Sequence, residues 1–149
     1  MQHVIYTMQF KGGMAPAGDG VLKATTIATS CSIQSLTGPE GLVGTFHAIE
    51  GGFAWLESEL RLTGKHSFTE SGVISFGEDD HMVRFSTTSE GHMGPSADEK
   101  YSAGTVIRKV EGGAGQFDGA SGYITSNFIV TGDGEVTDYQ FGVIFLKEE

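Results

Sequence analysis

The stretch of sequence that decides the fold is a glycine-rich run of twelve residues, Glu111-Gly112-Gly113-Ala114-Gly115-Gln116-Phe117-Asp118-Gly119-Ala120-Ser121-Gly122. It leads into a segment rich in β-branched and aromatic residues, so we expect a strand and not a helix after it. The run departs from the GxGxxG pattern because Asp118 stands where the third glycine belongs, and no Lys-Ser/Thr pair follows. We therefore interpret it as a connection between two β-strands and not as a phosphate-binding loop.

Glycine is frequent along the whole chain, at 23 of 149 residues. A glycine inside a helix costs about 1 kcal/mol relative to alanine, so a chain interrupted this often forms few ordinary helices. Between the glycines lie short runs rich in Val, Ile, Thr, Phe and Tyr, which are typical of an antiparallel all-β domain. The predicted strands are 3–10, 20–30, 42–50, 53–63, 66–76, 80–89, 102–110, 121–130 and 136–146. The sequence shows neither repeats nor linkers, so we expect one domain over residues 1–149.

Turn sequences separate several of these strands. They are Gly38-Pro39-Glu40-Gly41, Gly51-Gly52, Gly77-Glu78-Asp79-Asp80 and Gly132-Asp133-Gly134, and the last is a strong hairpin signal. Residues 21–36 and 53–60 also fit helical spacing, although a strand is preferred for both. Short strands with frequent turns suit a barrel or a sandwich. A barrel removes exposed strand edges and leaves an interior that can hold one small ligand.

Charge and composition exclude several classes of partner. The formal net charge is −10, which disfavours binding to nucleic acid or to an anionic membrane. No apolar run is long enough for a membrane helix, and the first residues lack a basic, then apolar, leader. The single Cys31 excludes an intrachain disulfide and is interpreted as a buried, unreactive thiol. We expect a cytoplasmic protein.

The histidines do not form a recognisable metal motif. They are His3, His47, His66, His81 and His92. A metal site would have to be assembled across strands, for example from His47, Glu50 and His92, and solvated or hydrogen-bonded histidines are the simpler interpretation. We expect no metal and no cofactor. His92 lies between glycines and a proline, which suggests a shaped loop at the barrel mouth that either caps a ligand or is a plain surface loop.

Residues 53–62 have two different faces if they form a strand. One face carries Phe53, Trp55, Glu57, Glu59 and Arg61, and the other carries Ala54, Leu56, Ser58, Leu60 and Leu62. Simple hydrophobic patterning places the leucine face inside and the charges in water, with Glu59 and Arg61 as a solvated pair. The alternative is that the Trp/Glu/Glu/Arg face lines a cavity, where burial raises the pKa of one carboxyl and makes it a usable acid or base.

The last strand indicates self-association. From Val143 to Leu146 both of its faces are apolar. One face belongs in the barrel interior, and the other needs a cover. Because helices are scarce, a second subunit is the simpler cover, so we expect a homo-oligomer, a dimer or a trimer.

The glycine-rich run, followed by a strand and by Asp138-Tyr139-Gln140-Phe141, resembles the allene oxide cyclase-like barrel group. These small eight-stranded barrels occur in plant oxylipin cyclases, in the related dirigent proteins and in uncharacterised bacterial proteins. The similarity covers about residues 100–146, with a weaker likeness from Phe53 to Glu57. It implies a closed, eight-stranded, antiparallel, calycin-like β-barrel with an apolar cavity. In the cyclases a buried Glu and a bound water steer a reactive epoxide in that cavity, and the resemblance favours the inward orientation of Glu57. The other polar pocket residues of the cyclases have no clear match, although Asn127 is either a pocket amide or a strand-edge hydrogen-bonding group.

Three functions follow from these patterns. The first is a cofactor-free isomerase, cyclase or lyase that acts on a small hydrophobic substrate in the barrel cavity. The alternatives are a small-molecule-binding barrel without chemistry and a dirigent-like scaffold that orients reactants. The candidate catalytic residues are Glu57 and Glu59. The candidate substrate-binding residues are Trp55, Arg61, Arg84, His92, Tyr139 and Phe141. Arg61 either neutralises Glu59, which leaves Glu57 free to act as a base, or the two carboxyls share a proton.

Overall fold

Antiparallel strands make up almost the whole chain in the computed structural model. The backbone is described for residues 3–38, 41–77 and 81–148, and the side chains for the same residues except 29–38 and 41–52. The strands are β1 (His3–Gly18), β2 (Val21–Gly38), β3 (Gly41–Leu62), β4 (Ser67–Phe76), β5 (Met82–Thr87), β6 (Gly91–Pro95), β7 (Tyr101–Ala114), β8 (Ser121–Thr131) and β9 (Glu135–Phe145). A short 3₁₀ turn, Gly115–Phe117, lies between β7 and β8.

Eight of the strands close into an antiparallel barrel, as the sequence predicts. Their order is β3-β2-β1-β9-β8-β7-β5-β4, and pairing between β4 and β3 closes the ring. The extra strand, β6, continues the direction of β5 after a break at residues 88–90. His92 on β6 pairs with Ser67 on β4 and with Thr105 on β7. The prediction of a loop around His92 is therefore wrong. The glycines and the proline around it belong to the paired strand β6.

The predicted strand boundaries need one further correction. Residues 42–50 and 53–63 form the single strand β3, so Gly51-Gly52 is not a turn. Instead, the register between β2 and β3 shifts there, from the pair Thr29–Phe53 to the pair Cys31–Ala48. The glycines thus accommodate an irregularity that bends the ladder without ending it. Residues 21–36 and 53–60 are strands, as preferred. The hairpin at 132–134 is confirmed, since Gly134 N donates a hydrogen bond of 3.0 Å to Thr131 O.

Some of the sequence predictions fall outside the described part of the chain. They include the state of Cys31 and the contribution of His47 and Glu50 to a metal site, since these side chains are not described. The turn residues 39–40 and 78–80 are also outside it. Among the described residues, the structure contains no helix with the length and apolar character that crossing a membrane requires.

The glycine-rich run is a strand connection, as interpreted from its sequence. Gly122 has a φ of +130°, and a Cβ there would overlap the carbonyl oxygen of Val143 on β9. Only glycine therefore allows β8 to begin this close to β9. Within the connection, Phe117 is buried, and its ring centroid lies 5.2 Å from that of Phe76. The connection thus places an aromatic side chain in the hydrophobic core at this end of the barrel.

The barrel interior has three layers, because inward-facing positions alternate along each strand. One apolar layer includes Tyr6, Phe10, Ala28, Leu56, Ile74, Val110, Ile124 and Ile144. The other includes Ala24, Leu60, Phe68, Val106, Phe128 and Val136. Between them, inward-facing positions on β2, β3, β4, β7, β8 and β9 are polar. This polar layer consists of Thr26, Ser58, Glu70, Arg108, Ser126, Asp138 and Gln140, all buried.

Candidate functional site

A buried ion pair lies at the centre of the polar layer. Arg108 on β7 is 3 % exposed and binds Glu70 on β4 through two parallel hydrogen bonds. Its Nε donates to Glu70 Oε1 at 2.9 Å, and its Nη2 donates to Oε2 at 3.1 Å. On the other side, Arg108 Nη1 lies 3.5 Å from Asp138 Oδ2 on β9. Two acidic groups therefore share one guanidinium, a bidentate arrangement that fixes the relative positions of three strands.

Neutral side chains complete the coordination of the two carboxylates. The Ser58 hydroxyl donates to Glu70 Oε2 at 2.5 Å. The Ser126 hydroxyl and Gln140 Nε2 donate to Asp138, the latter at 2.8 Å. The Tyr6 hydroxyl in turn donates a long hydrogen bond of 3.4 Å to Gln140 Oε1. Each carboxylate thus has both a cation and hydroxyl or amide donors, as buried acidic groups require.

The electrostatics of the layer follow from its burial. Burial alone would lower the pKa of Arg108, but the charges of Glu70 and Asp138 outweigh this and raise it above its usual range. For Tyr6, burial is the main cause that raises the pKa of the phenol well above its usual range, although the positive charge of Arg108 partly opposes the shift. Both groups therefore keep their protons across the physiological range.

The polar layer leaves little free space around it. The cavity next to Arg108, Glu70 and Asp138 has a volume of about 20 Å³. Ligand pockets in proteins usually measure roughly 300–1,000 Å³. The described part of the interior around the ion pair is thus filled by side chains, and the layer there stabilises the barrel instead of holding a substrate.

Sequence reasoning missed this cluster, although the sequence carried a signal for it. Each charged residue stands at an inward-facing position, two residues from an apolar neighbour: Phe68 before Glu70, Val106 before Arg108, and Val136 before Asp138. When the alternate residues on one face of a strand are apolar except for one charged residue, that residue is expected to be buried and paired. Three such positions with both signs of charge would have pointed to one network.

The Trp/Glu/Glu/Arg face of residues 53–62 lies outside the barrel. Trp55 is 42 % exposed, whereas Leu56 and Leu60 are 2 % and 1 % exposed. The interpretation that Glu57 and Trp55 line the interior is therefore wrong, and simple hydrophobic patterning gives the correct orientation. The predicted pairing of Arg61 with Glu59 is present, with an Arg61 Nη2 to Glu59 Oε1 distance of 2.6 Å at an exposed site.

A groove on the outer surface brings together both predicted catalytic residues, Glu57 and Glu59, and the predicted binding residue Arg84. This outer groove has a volume of about 670 Å³ and includes Glu57, Glu59 and Arg84 in its lining. Small residues on β4, among them Ser71 and Gly72, form its floor. Longer side chains on β3 and β5 form its walls, since Glu57 and Arg84 are the outward-facing partners of Val73 on either side. Small floor residues between long wall residues explain why a convex barrel has a groove here.

The charges in the outer groove are unevenly satisfied. Glu59 is paired with Arg61, and Glu111 accepts a hydrogen bond of 2.5 Å from Ser86. In contrast, no hydrogen bond or ion pair within the described residues engages Glu57, Arg84 or Lys23, which also line the groove. The groove thus offers a free carboxylate on the β3 wall and a free guanidinium on the β5 wall.

Comparison with protein-family models, with curated proteins and with solved structures found no match.

The remaining predicted binding residues lie elsewhere on the outer surface. His92 is exposed and lines a shallow pocket of about 450 Å³ together with His66 and Asn127. Tyr139 and Phe141 on β9 are about half exposed. None of these three residues borders the outer groove. The structure therefore does not assemble all the predicted site residues into one pocket. Their individual roles stay predictions.

Tyr139 and Phe141 belong to an apolar outer face that covers β7, β8, β9 and β1. Its exposed members are Ile107, Tyr123, Tyr139, Phe141 and Phe145, with Ile5 and Val143 partly exposed between them. Direct cross-strand pairing makes the face continuous, as in the row Ile107–Thr125–Phe141 and the row Tyr123–Val143–Ile5.

Removing the central cation should destabilise the barrel strongly. We expect Arg108→Leu to lower the free energy of unfolding by about 3–5 kcal/mol, because Glu70 and Asp138 would be left buried without a counter-charge. Urea denaturation measures the change. Lys109→Leu is the matched control, since its side chain is exposed on the same strand, and it should shift stability by no more than about 0.5 kcal/mol. Equal effects of the two substitutions would contradict a central role for the ion pair.

Stability should also fall at high pH because of Tyr6. The folded protein holds the Tyr6 proton more tightly than the unfolded chain does, so this contribution is constant below about pH 10 and is lost as the pH rises further. The loss is at most about 1.4 kcal/mol per pH unit. Denaturation at several alkaline pH values should show a shallower decline for Tyr6→Phe than for wild type. Tyr123→Phe, at an exposed tyrosine, should keep the wild-type slope, and an unchanged slope in Tyr6→Phe would refute the assignment.

Proposed function

We propose that this protein is a small-molecule-binding barrel whose ligand lies in the outer groove. The ligand class is a short molecule with an ammonium or guanidinium group at one end and a carboxylate at the other. A single observation carries the proposal: Glu57 and Arg84 face each other across β4, line one groove, and have no partner among the described residues.

The spacing of the two charges sets the size of the ligand. Glu57 and Arg84 flank Val73 on neighbouring strands, so their backbones are about 10 Å apart at the usual strand spacing. Both side chains are long enough to lean toward the floor of the groove. A ligand with an extended chain of a few carbons between its charged ends can therefore reach both walls.

The polarity of the groove favours a charged ligand over a purely hydrophobic one. Lys23 lines the same groove, and Ser71 and Ser86 add hydroxyl groups. An apolar ligand would desolvate these groups without replacing their hydrogen bonds, which is unfavourable. Trp55 precedes Glu57 by two residues on the same outer face, where its exposed ring can contact the methylene groups or the cationic end of the ligand.

The affinity should be modest, because both charges are exposed to solvent. An exposed ion pair contributes roughly 0.2–1 kcal/mol, so two of them supply at most about half of the ~4 kcal/mol that a millimolar Kd represents. With some apolar contact the Kd should therefore be millimolar or weaker. Selectivity then comes from the requirement for both ends. This is a binding function without chemistry, which is one of the alternatives the sequence suggests.

A set of three probes tests the proposal. 6-Aminohexanoate carries both charges, whereas hexylamine and hexanoate carry one each. NMR titration of the labelled protein should show the tightest binding for 6-aminohexanoate, with shifts centred on the amides of residues 71–73. Glu57→Gln and Arg84→Gln should each weaken its binding by up to about 5-fold, the equivalent of one exposed ion pair.

The controls keep the charge changes but move them away from the groove. Glu135→Gln and Lys11→Gln alter exposed residues of other strands and should leave the Kd unchanged. Equal binding of the three probes, or no binding that maps to the groove, would overturn the proposed ligand class. Turnover of a substrate that depends on Glu57 would instead favour the enzymatic function.

We also infer that the apolar outer face of β7, β8, β9 and β1 binds a second copy of the chain. A large aromatic side chain buries about 150–250 Å² when it is fully covered. With about half of that area exposed on each of its five main members, the face offers on the order of 500 Å². This is the size of the largest apolar patch on a typical monomer, and such a patch is often functional. Lys109 and Glu111 flank it on β7, so two copies related by a two-fold axis can pair opposite charges at the rim.

Replacing one central aromatic should separate the copies. Sedimentation velocity at about 100 µM, roughly ten-fold above a weak dimer's Kd, should show a dimer for wild type and a monomer for Phe141→Ser. Phe53→Ser changes an equally exposed phenylalanine on a different face and should leave the oligomer intact. A wild-type protein that stays monomeric at about 100 µM would refute this interface. That concentration is about ten-fold above a Kd of ~10 µM, which is typical of a weak dimer.

A further inference from the structure

We propose that the barrel encloses one water molecule, bound between Arg108 and Thr26 in the polar layer. This site is separate from the outer groove and does not depend on the proposed function. It would be an integral part of the fold, joining β2 to the ion pair at the centre of the barrel.

The first observation is a pair of buried polar atoms without partners. Arg108 uses Nε and Nη2 to bind Glu70. Its Nη1 lies 3.5 Å from Asp138 Oδ2, which is too long for a good hydrogen bond, and no other described atom accepts from it. The hydroxyl of Thr26, a residue only 2 % exposed, also has no hydrogen-bond partner.

The second observation is a cavity that both residues share. Thr26 and Arg108 line the same cavity of about 20 Å³, together with Glu70 and Asp138, and all four residues are buried. A cavity needs roughly 10–15 Å³ to hold one water, and a buried water typically makes about three hydrogen bonds. The volume therefore fits one water and no larger solute, and the lining supplies enough polar groups to hold it.

The chemistry of the lining selects water over an ion. An occupant must accept a hydrogen bond from the Arg108 guanidinium, which a metal cation or ammonium cannot do. It must also tolerate two nearby carboxylates, which repel an anion. Water accepts from Arg108, donates to Asp138 or Glu70, and can bond the Thr26 hydroxyl in either direction.

The apolar part of the lining should make exchange with solvent slow. Leu56, Leu60 and Phe128 are buried side chains on the cavity wall. Water can leave only when these side chains or the strands that carry them move apart, and such openings are much slower than the exchange of surface water. The bound water should therefore be long-lived.

Two measurements on the intact protein test the site. A high-resolution crystal structure should show one water within hydrogen-bond distance of both Arg108 Nη1 and Thr26 Oγ1. Magnetic relaxation dispersion of water ¹⁷O, which counts long-lived internal waters, should lose one such water in Thr26→Val relative to wild type. Thr26→Ser keeps the hydroxyl and should retain that water.

The control is Thr105→Val, which removes a hydroxyl from the exposed side of β7 and should leave the count unchanged. If Thr26→Val does not fold, the wild-type crystal structure alone decides the question. A wild-type crystal structure in which Arg108 Nη1 binds Asp138 directly, with no water beside Thr26, would overturn the proposal. An equal count of long-lived waters in Thr26→Val and wild type would do the same.

Discussion

The ion pair between Arg108 and Glu70 is the constraint on which the rest of the structure depends. Burying two charges costs several kcal/mol per ion, and only good geometry with further hydrogen bonds offsets this. The partners come from β7 and β4, and Asp138 adds β9. A shift of one residue in any of these strands would turn its charge outward and leave the others unpaired. The ion pair therefore sets the register of strands that are distant in sequence.

The same constraint explains why the candidate ligand site lies outside. Side chains fill the described interior around the ion pair and leave only a cavity of about 20 Å³. The outward-facing positions are not bound by the same requirement, so they can carry unpaired charges such as Glu57 and Arg84 in contact with water. The small outward-facing residues of β4, including Ser71, then create a groove between them. A barrel with a filled centre thus retains a surface on which a ligand can bind.

The sequence predicted the architecture well because the signals for it are local. Glycine spacing, β-branched runs and the turn at 132–134 each depend on neighbouring residues, and they indicate strands and hairpins directly. The orientation of β3 was also readable from its buried leucines, whereas the likeness of Phe53 to Glu57 favoured the wrong face. The ion pair was not predicted, because Glu70 and Arg108 are separated by 38 residues. A single sequence does not reveal which distant strand supplies the partner of an inward-facing charge.

Strand β4 links the interior to the outer groove. Glu70 points inward and binds Arg108, while the next residue, Ser71, lies in the groove floor. Ser58 and Glu57 have the same relation on β3, since Ser58 donates to Glu70 inside and Glu57 forms part of the groove wall. The backbone beneath the groove is therefore held from the inside by charge-assisted hydrogen bonds. Such support holds the backbone that carries Glu57 and the groove floor in one position, and a preorganised site loses less entropy on binding than a flexible one.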